Sequence, residues 1–142
     1  MNIKIKKLDE SAVIPTYGSE GAACLDLYAV KDLDIRPNEV ACVHSGLSIA
    51  IPTGYEVRVM PRSGLACKKQ LIILNSPGVI DSDYRGEICV YMKNISDDIV
   101  TIQSGDRYAQ MSLRKSIYVT FEVVDDLDDT VRGDGGFGST GR

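Results

Sequence analysis

Apolar and polar residues alternate with a period of two along much of this chain, the spacing of strands that bury one face. In YEVRVMP, Tyr55, Val57 and Val59 share a face; in EICVYMK, Ile88, Val90 and Met92 do; in YVTFEVV, Val119, Phe121 and Val123 do. Each run predicts a half-buried strand. Turn residues separate the runs at short intervals: Arg36-Pro37-Asn38, Pro52-Thr53-Gly54, Ser76-Pro77-Gly78 and Ser104-Gly105-Asp106. Many short strands punctuated in this way predict an all-β sandwich or jelly roll. One short helix is expected over Ser63 to Lys69, with Ser63 as its cap.

A chain of 142 residues fits one domain. The acidic run Asp125-Asp126-Leu127-Asp128-Asp129 reads as the solvated end of the body, which divides the chain into a β-rich body, 1–129, and a glycine-rich arm, 130–142. No apolar run is long enough to cross a bilayer, and MNIKIKKLDE has no signal-peptide core, so cytoplasmic residence and no membrane partner are expected. The net charge is −4 and the basic cluster Lys4, Lys6 and Lys7 is short. Binding nucleic acid through many phosphates needs a broader basic face, so no such partner is expected, and any phosphate must be held by a few placed arginines. The four cysteines form no C-x-x-C pair and His44 is the sole histidine, so the sequence predicts reduced thiols packed beside strands and a strand histidine rather than a catalyst.

Five stretches carry more polar chemistry than strands and turns require. GAACLDLYA sets Asp26 between two leucines, an uncommon place for a carboxylate without a paired charge or cation nearby. PRSGLA offers Arg62, the Ser63 hydroxyl and, at Ser63 and Gly64, backbone N–H groups opening the helix, a reasonable anion site. NSPGVIDSDYRGE carries Asn75, Gly78, Ile80, Asp81, Asp83, Tyr84 and Arg85 on an expected long hairpin, and GDRYAQM carries Asp106, Arg107 and Gln110. RGDGGFGSTGR can bring backbone N–H groups close to an anion, flanked by Arg132, Phe137, Gly138, Ser139 and Thr140. Ordering so many glycines costs more than the segment can recover by burying itself. From Asp129 to Phe137 it reaches at most roughly 26–29 Å, against a radius of gyration of about 14–15 Å for a globule of this length. It can therefore serve a neighbouring subunit.

Taken together and in this order, the five stretches, from about Gly21 to Arg142, closely resemble the five motifs of the homotrimeric dUTPase family. The resemblance implies a jelly-roll β-barrel in a three-fold trimer, with each site shared by three chains: the Asp26, Arg62-Ser63 and Gln110 segments from one, the Asn75 to Tyr84 hairpin from a second, the arm from a third. It implies hydrolysis of dUTP to dUMP and pyrophosphate, which limits uracil in DNA and supplies dUMP for thymidylate synthesis. Asp81 would act on the attacking water, and Asp26 would hold Mg²⁺ through water. Arg62, Ser63, Gly64 and Gln110 would contact phosphate oxygens; Arg132, Gly138, Ser139 and Thr140 would cover the γ end; Phe137 would stack on uracil. The backbone near Asn75, Gly78 and Ile80 would read the base, and Tyr84 would pack under deoxyribose and exclude a 2′-hydroxyl.

Cys24 and Leu25 stand where the family's first motif often has glycine and an aromatic, and Tyr108 where its fourth has an aliphatic residue, a change of packing. Asp83, Arg85, Asp106 and Arg107 are assigned structural salt bridges. Two alternatives stay open: a dCTP deaminase, which shares the fold and a triphosphate site, and a regulatory protein in which bound dUTP changes the arm and a partner surface.

Overall fold

The computed structural model describes residues 1–139, so Thr140 lies outside the described residues. The strands are β1 (Lys4–Lys7), β2 (Thr16–Tyr17), β3 (Leu25–Tyr28), β4 (Leu33–Ile35), β5 (Val40–His44), β6 (Leu47–Ala50) and β7 (Tyr55–Pro61). After the helix α1 (Ser63–Lys69) come β8 (Leu71–Ile73), β9 (Gly78–Ile80), β10 (Cys89–Asn94), β11 (Val100–Ile102) and β12 (Arg107–Lys115). All the pairings are antiparallel. The largest sheet has the order β2-β3-β12-β7-β9 and a second has the order β5-β10-β8, with the two-stranded pairs β1-β6 and β11-β4 beside them. Their apolar faces meet in one core that includes Leu27, Ile35, Val43, Val59, Leu71 and Met92. The all-β, jelly-roll-like expectation is met.

Alternation predicted two of the three quoted strands well. In β7, Val57 and Val59 are buried and Arg58 between them is exposed; around β10, Ile88, Val90 and Met92 are buried while Tyr91 is 56% exposed. The third run behaves differently. No strand follows β12 among the described residues, and Val119, Phe121 and Val123 are 66%, 92% and 97% exposed. A strand needs a neighbour for its backbone groups and a surface for its apolar face, and the body of this chain supplies neither beyond Ser116, whose N–H still donates to Gly54 O.

The expected hairpin from Asn75 to Tyr84 is also built differently. β9 pairs with β7, with Val57 opposite Ile80 and Val59 opposite Gly78, whereas β8 pairs with β10. One edge of the seven-residue β7 is taken by β12, and β9 completes the other. The helix forms where expected, but Arg62 occupies its cap position, with extended backbone (φ −84°, ψ 130°) and no side-chain cap bond. Ser63 is therefore its first helical residue rather than its cap, because the Arg62 carbonyl already accepts the first bonds, from the N–H groups of Leu65 and Ala66.

Tyr108 is fully buried in the core, in keeping with the packing change expected there, yet its hydroxyl has no hydrogen-bond partner among the described residues. Burial pushes its phenol far above the usual range, reinforced by Cys89 and Glu87 nearby. An unpartnered buried hydroxyl costs about 1–3 kcal/mol, so Tyr108→Phe is expected to leave stability unchanged or raise it by about 1 kcal/mol. A lower urea midpoint for the variant would show that the hydroxyl makes a stabilising contact.

Candidate active site

Three neighbouring strands bring the first group of polar residues together. Asp26 of β3 sits opposite Gln110 of β12, and Gln110 sits opposite Met60 of β7, two residues before Arg62. Sequence positions 26, 62 and 110 thus converge because their strands are adjacent and in register. A β-bulge between Arg107 and Ala109 shifts the pairing at the head of β12, and Arg107 also reaches Asp26 there.

The Asp26 carboxylate, on a residue 8% exposed, is gripped from both sides. Arg62 Nε lies 3.0 Å from Oδ1 and Arg107 Nη1 lies 3.2 Å from Oδ2. Arg62 Nη1 also donates to Arg107 O at 2.8 Å, and Gln110 Nε2 donates to Pro61 O at 2.9 Å. Asp26, Arg62, Arg107 and Gln110, with Ser63 and Gly64, line an open cleft of about 500 Å³ in which Asp26 is the sole carboxylate among the described residues. Two guanidinium groups against one carboxylate leave the cleft positive, and the first turn of α1 adds no acidic residue. It suits an anion with several oxygens.

The second group lies elsewhere. Ile80, Asp81 and Tyr84 line a different cleft of about 450 Å³, which shares no residue with the first. Asp81 is exposed at its rim, where its carbonyl accepts the N–H of Tyr84 at 3.2 Å. Tyr84 Oη donates to Glu87 O at 3.1 Å. A Cβ at residue 86 would stand about 2.5 Å from the Tyr84 ring carbon that bears the hydroxyl, so glycine is what lets that ring lie over the backbone. The sequence marks this role of Gly86 only by its place two residues after Tyr84 in DYRGE. Gly86→Ala is expected to displace the ring, read as a changed tyrosine signal in near-ultraviolet circular dichroism. An unchanged spectrum would contradict it.

Asn75 and Gly78 lie at the start of this segment, where a Cβ on Gly78 would meet Asn75 Nδ2 only at 3.7 Å, an ordinary contact. The assignment of structural salt bridges holds for Arg107 alone. Arg85 Nη1 donates instead to the carbonyls of Ser82 and Tyr84 at 2.7 and 2.8 Å, closing the turn, and Asp106 accepts the N–H of Gln103 at 2.9 Å. Among the described residues Asp83 makes no ion pair.

The arm makes its described contacts within itself. Gly135 N–H donates to Arg132 O, Arg132 Nε donates to Gly135 O at 2.8 Å, and Ser139 N–H donates to Gly136 O. Gly133, Phe137 and Gly138 have positive φ, and Phe137 is fully exposed. A single chain thus brings together Asp26, Arg62, Ser63, Gly64 and Gln110, and separately Ile80, Asp81 and Tyr84. It brings Arg132, Phe137, Gly138 and Ser139 to neither cleft.

The second cleft also holds a group that spacing along the chain concealed. Cys42, His44 and Cys89, expected to be packed thiols and a plain strand residue, come together on β5 and β10. His44 Nδ1 lies 2.9 Å from Glu87 Oε2, and Gly46 N–H donates to Glu87 Oε1 at 2.8 Å. Burial raises the Glu87 pKa, but these bonds outweigh it and hold the carboxyl below its usual range. Burial, then the charge of Glu87 and the Cys42 thiol, push Cys89 up to about 12. The Cys42-x-His44 spacing, two ligating types on one strand face, was the available signal.

Known proteins resemble this chain in sequence and in fold. A deoxyuridine 5'-triphosphate nucleotidohydrolase of Helicobacter pylori (strain P12) is 47% identical over 141 residues, covering 99% of this chain and 97% of its own. One of Hydrogenobaculum sp. (strain Y04AAS1) is 49% identical over 142 residues, covering 99% of each. The structure of the Staphylococcus bacteriophage 80alpha dUTPase with dUPNHPP superposes with a TM-score of 0.92 over 99% of both chains at 24% identity, which speaks to the fold alone. The family model described as dUTPase matches residues 10–141. With that match spanning nearly the whole chain and relatives near half identity, the chain belongs to the dUTPase family.

Proposed function

We propose that this protein hydrolyses dUTP to dUMP and pyrophosphate by water attack on the α-phosphorus, at sites shared among three copies of the chain. The observation that carries the reading is the positive cleft around Asp26, with two arginines, Ser63, Gly64 and Gln110 and no other carboxylate among the described residues. A triphosphate, with several charges against one, competes effectively for the guanidinium groups that Asp26 now holds. Arg62 and Gln110 then turn to phosphate oxygens, and the leaving pyrophosphate is stabilised where its charge develops.

With Arg62 on phosphate, Asp26 Oδ1, a hard oxygen donor, would be available to hold Mg²⁺ through water, while Arg107 stays beside Oδ2. Such an ion would supply further charge neutralisation along the phosphates. Asp81 orients the attacking water and accepts its proton. The backbone around Asn75, Gly78 and Ile80 reads the uracil edge, and Tyr84 lies against the deoxyribose.

Separation of the two clefts within one chain supports assembly of the site from several. So does the run from Ile117 to Val123, a strand pattern with its apolar side chains in solvent. Burying a Val or Phe side chain is worth about 1.5–3 kcal/mol, which favours docking of this run on another copy. The arm of residues 130–142 then continues to a third copy's nucleotide, with Phe137 on the base and Arg132, Gly138, Ser139 and Thr140 over the γ-phosphate. Supply of dUMP and limitation of uracil in DNA follow from the reaction. No helix among the described residues is long and apolar enough to cross a membrane.

Pyrophosphate release from each common deoxynucleoside triphosphate, with and without magnesium, tests the proposal. Cleavage of dUTP with discrimination of about 10⁴ or more against dCTP is expected, because a polar edge left unpaired on burial is costly. Ammonia release from dCTP would identify a deaminase instead, and tight dUTP binding without turnover would identify a regulatory protein.

A further inference from the structure

We propose that Cys42, His44 and Cys89 form a binding site for a zinc-class cation on the wall of the cleft that holds Asp81 and Tyr84. The three residues offer ligand atoms that all lie within 4.8 Å of one another. Register explains why: Cys89 of β10 sits directly opposite His44 of β5, and Cys42 is two residues earlier on the same strand. Side chains two apart on a strand, and those directly across a ladder, project from the same face. All three are therefore held on one side of a backbone-paired sheet.

The spacing suits a tetrahedral ion. Metal–sulfur and metal–nitrogen bonds of about 2.3 and 2.0 Å put a sulfur and a nitrogen ligand roughly 3.5 Å apart. Cys89 Sγ and His44 Nδ1 are 3.4 Å apart already. The Cys42 ligand atom lies within 4.8 Å of both. Glu87 Oε2 stands beside the three, 2.9 Å from the same nitrogen, with Oε1 anchored by Gly46 N–H, and a water can complete the tetrahedron.

Donor chemistry sets the class of ion. Two thiolates and an imidazole select borderline-soft metals such as zinc or cadmium over magnesium, which takes oxygen ligands. The cluster is therefore chemically unlike Asp26 and its cleft. It is also reachable, because these residues line an open space of about 450 Å³ together with Tyr84 and Asp81.

The test is equilibrium dialysis of the full chain, kept reduced, against Zn²⁺ in a large excess of Mg²⁺. Titration with Cd²⁺ beside it reads cadmium–thiolate charge transfer in the ultraviolet. One ion per chain is expected, retained by Cys24→Ser and Cys67→Ser and lost in Cys42→Ser, in Cys89→Ser and in the double variant. Circular dichroism confirms that each variant is folded, and the two single variants keep the test usable should the double one unfold. Zinc bound equally by wild type and the folded Cys42 and Cys89 variants, no zinc bound by wild type, or a Cys42–Cys89 disulfide that persists under reductant would each overturn the site.

A second arm rests on the proposed placement of deoxyuridine in this cleft: zinc is expected to slow dUTP hydrolysis in wild type and not in the variants. Zinc bound without slowing hydrolysis supports the metal site and counts against that placement of the base. The two readings thus fail separately.

Discussion

Asp81→Asn is expected to lower the rate of pyrophosphate release from dUTP by about 10²–10⁴-fold, the range for loss of a positioned proton acceptor. The change keeps size and shape but removes the charge and the basic oxygen that would take the water's proton. Asp81 lies exposed at the rim of the Tyr84 cleft, and its side chain makes no hydrogen bond or ion pair among the described residues. The fold should therefore tolerate the substitution, with the thermal midpoint unmoved. Binding of a non-hydrolysable dUTP analogue should be nearly unchanged, so the loss falls on kcat rather than KM. A variant that turns over at the wild-type rate while binding nucleotide normally would remove Asp81 from the chemistry.

Deleting residues 133–142 is expected to spare folding and assembly yet cost about 10²–10³-fold in turnover, comparable to losing preorganised donors to transition-state charge. Described residues of the arm bond within the arm, and Phe137 contributes nothing to the core, so the body has little to lose. Mixing makes the sharper measurement. When Asp81→Asn chains and truncated chains are unfolded together and reassembled, some sites receive an intact Asp81 from one copy and an intact arm from another. Random three-fold assembly restores about one quarter of the sites if those two parts come from different copies. Sites confined to one chain would regain nothing. A truncated chain that unfolds would instead show the arm to be structural.

Legibility of the site depended on how each residue is placed. Asp26 stood out because a carboxylate between two leucines demands a partner, and the structure supplies two, Arg62 and Arg107. Arg107 was given only a structural role, because nothing in GDRYAQM distinguishes an arginine aimed at a strand 81 positions away from one aimed at solvent. Ser63 was expected to cap the helix because its residue type favours that role, but the cap position moved one residue earlier, to Arg62. The Tyr118 to Val124 run has a genuine strand pattern, yet a pattern states only which face seeks burial and not which molecule provides it.

Local periodicity and turn chemistry were enough to establish an all-β body, the strands β7 and β10 and the order of the five polar stretches, since these depend on residues near one another in the chain. Tertiary pairing alone decided the rest. The adjacency of β3, β12 and β7 placed two guanidinium groups on one carboxylate, and the β5–β10 register gathered two thiols and an imidazole from positions 42, 44 and 89. At short range each cluster shows only a fragment, Cys42-x-His44 in one and Asp26 between two leucines in the other, because strand partners distant in sequence are chosen by the packing of a shared core, and the polar groups at their ends are carried to wherever that packing sets them.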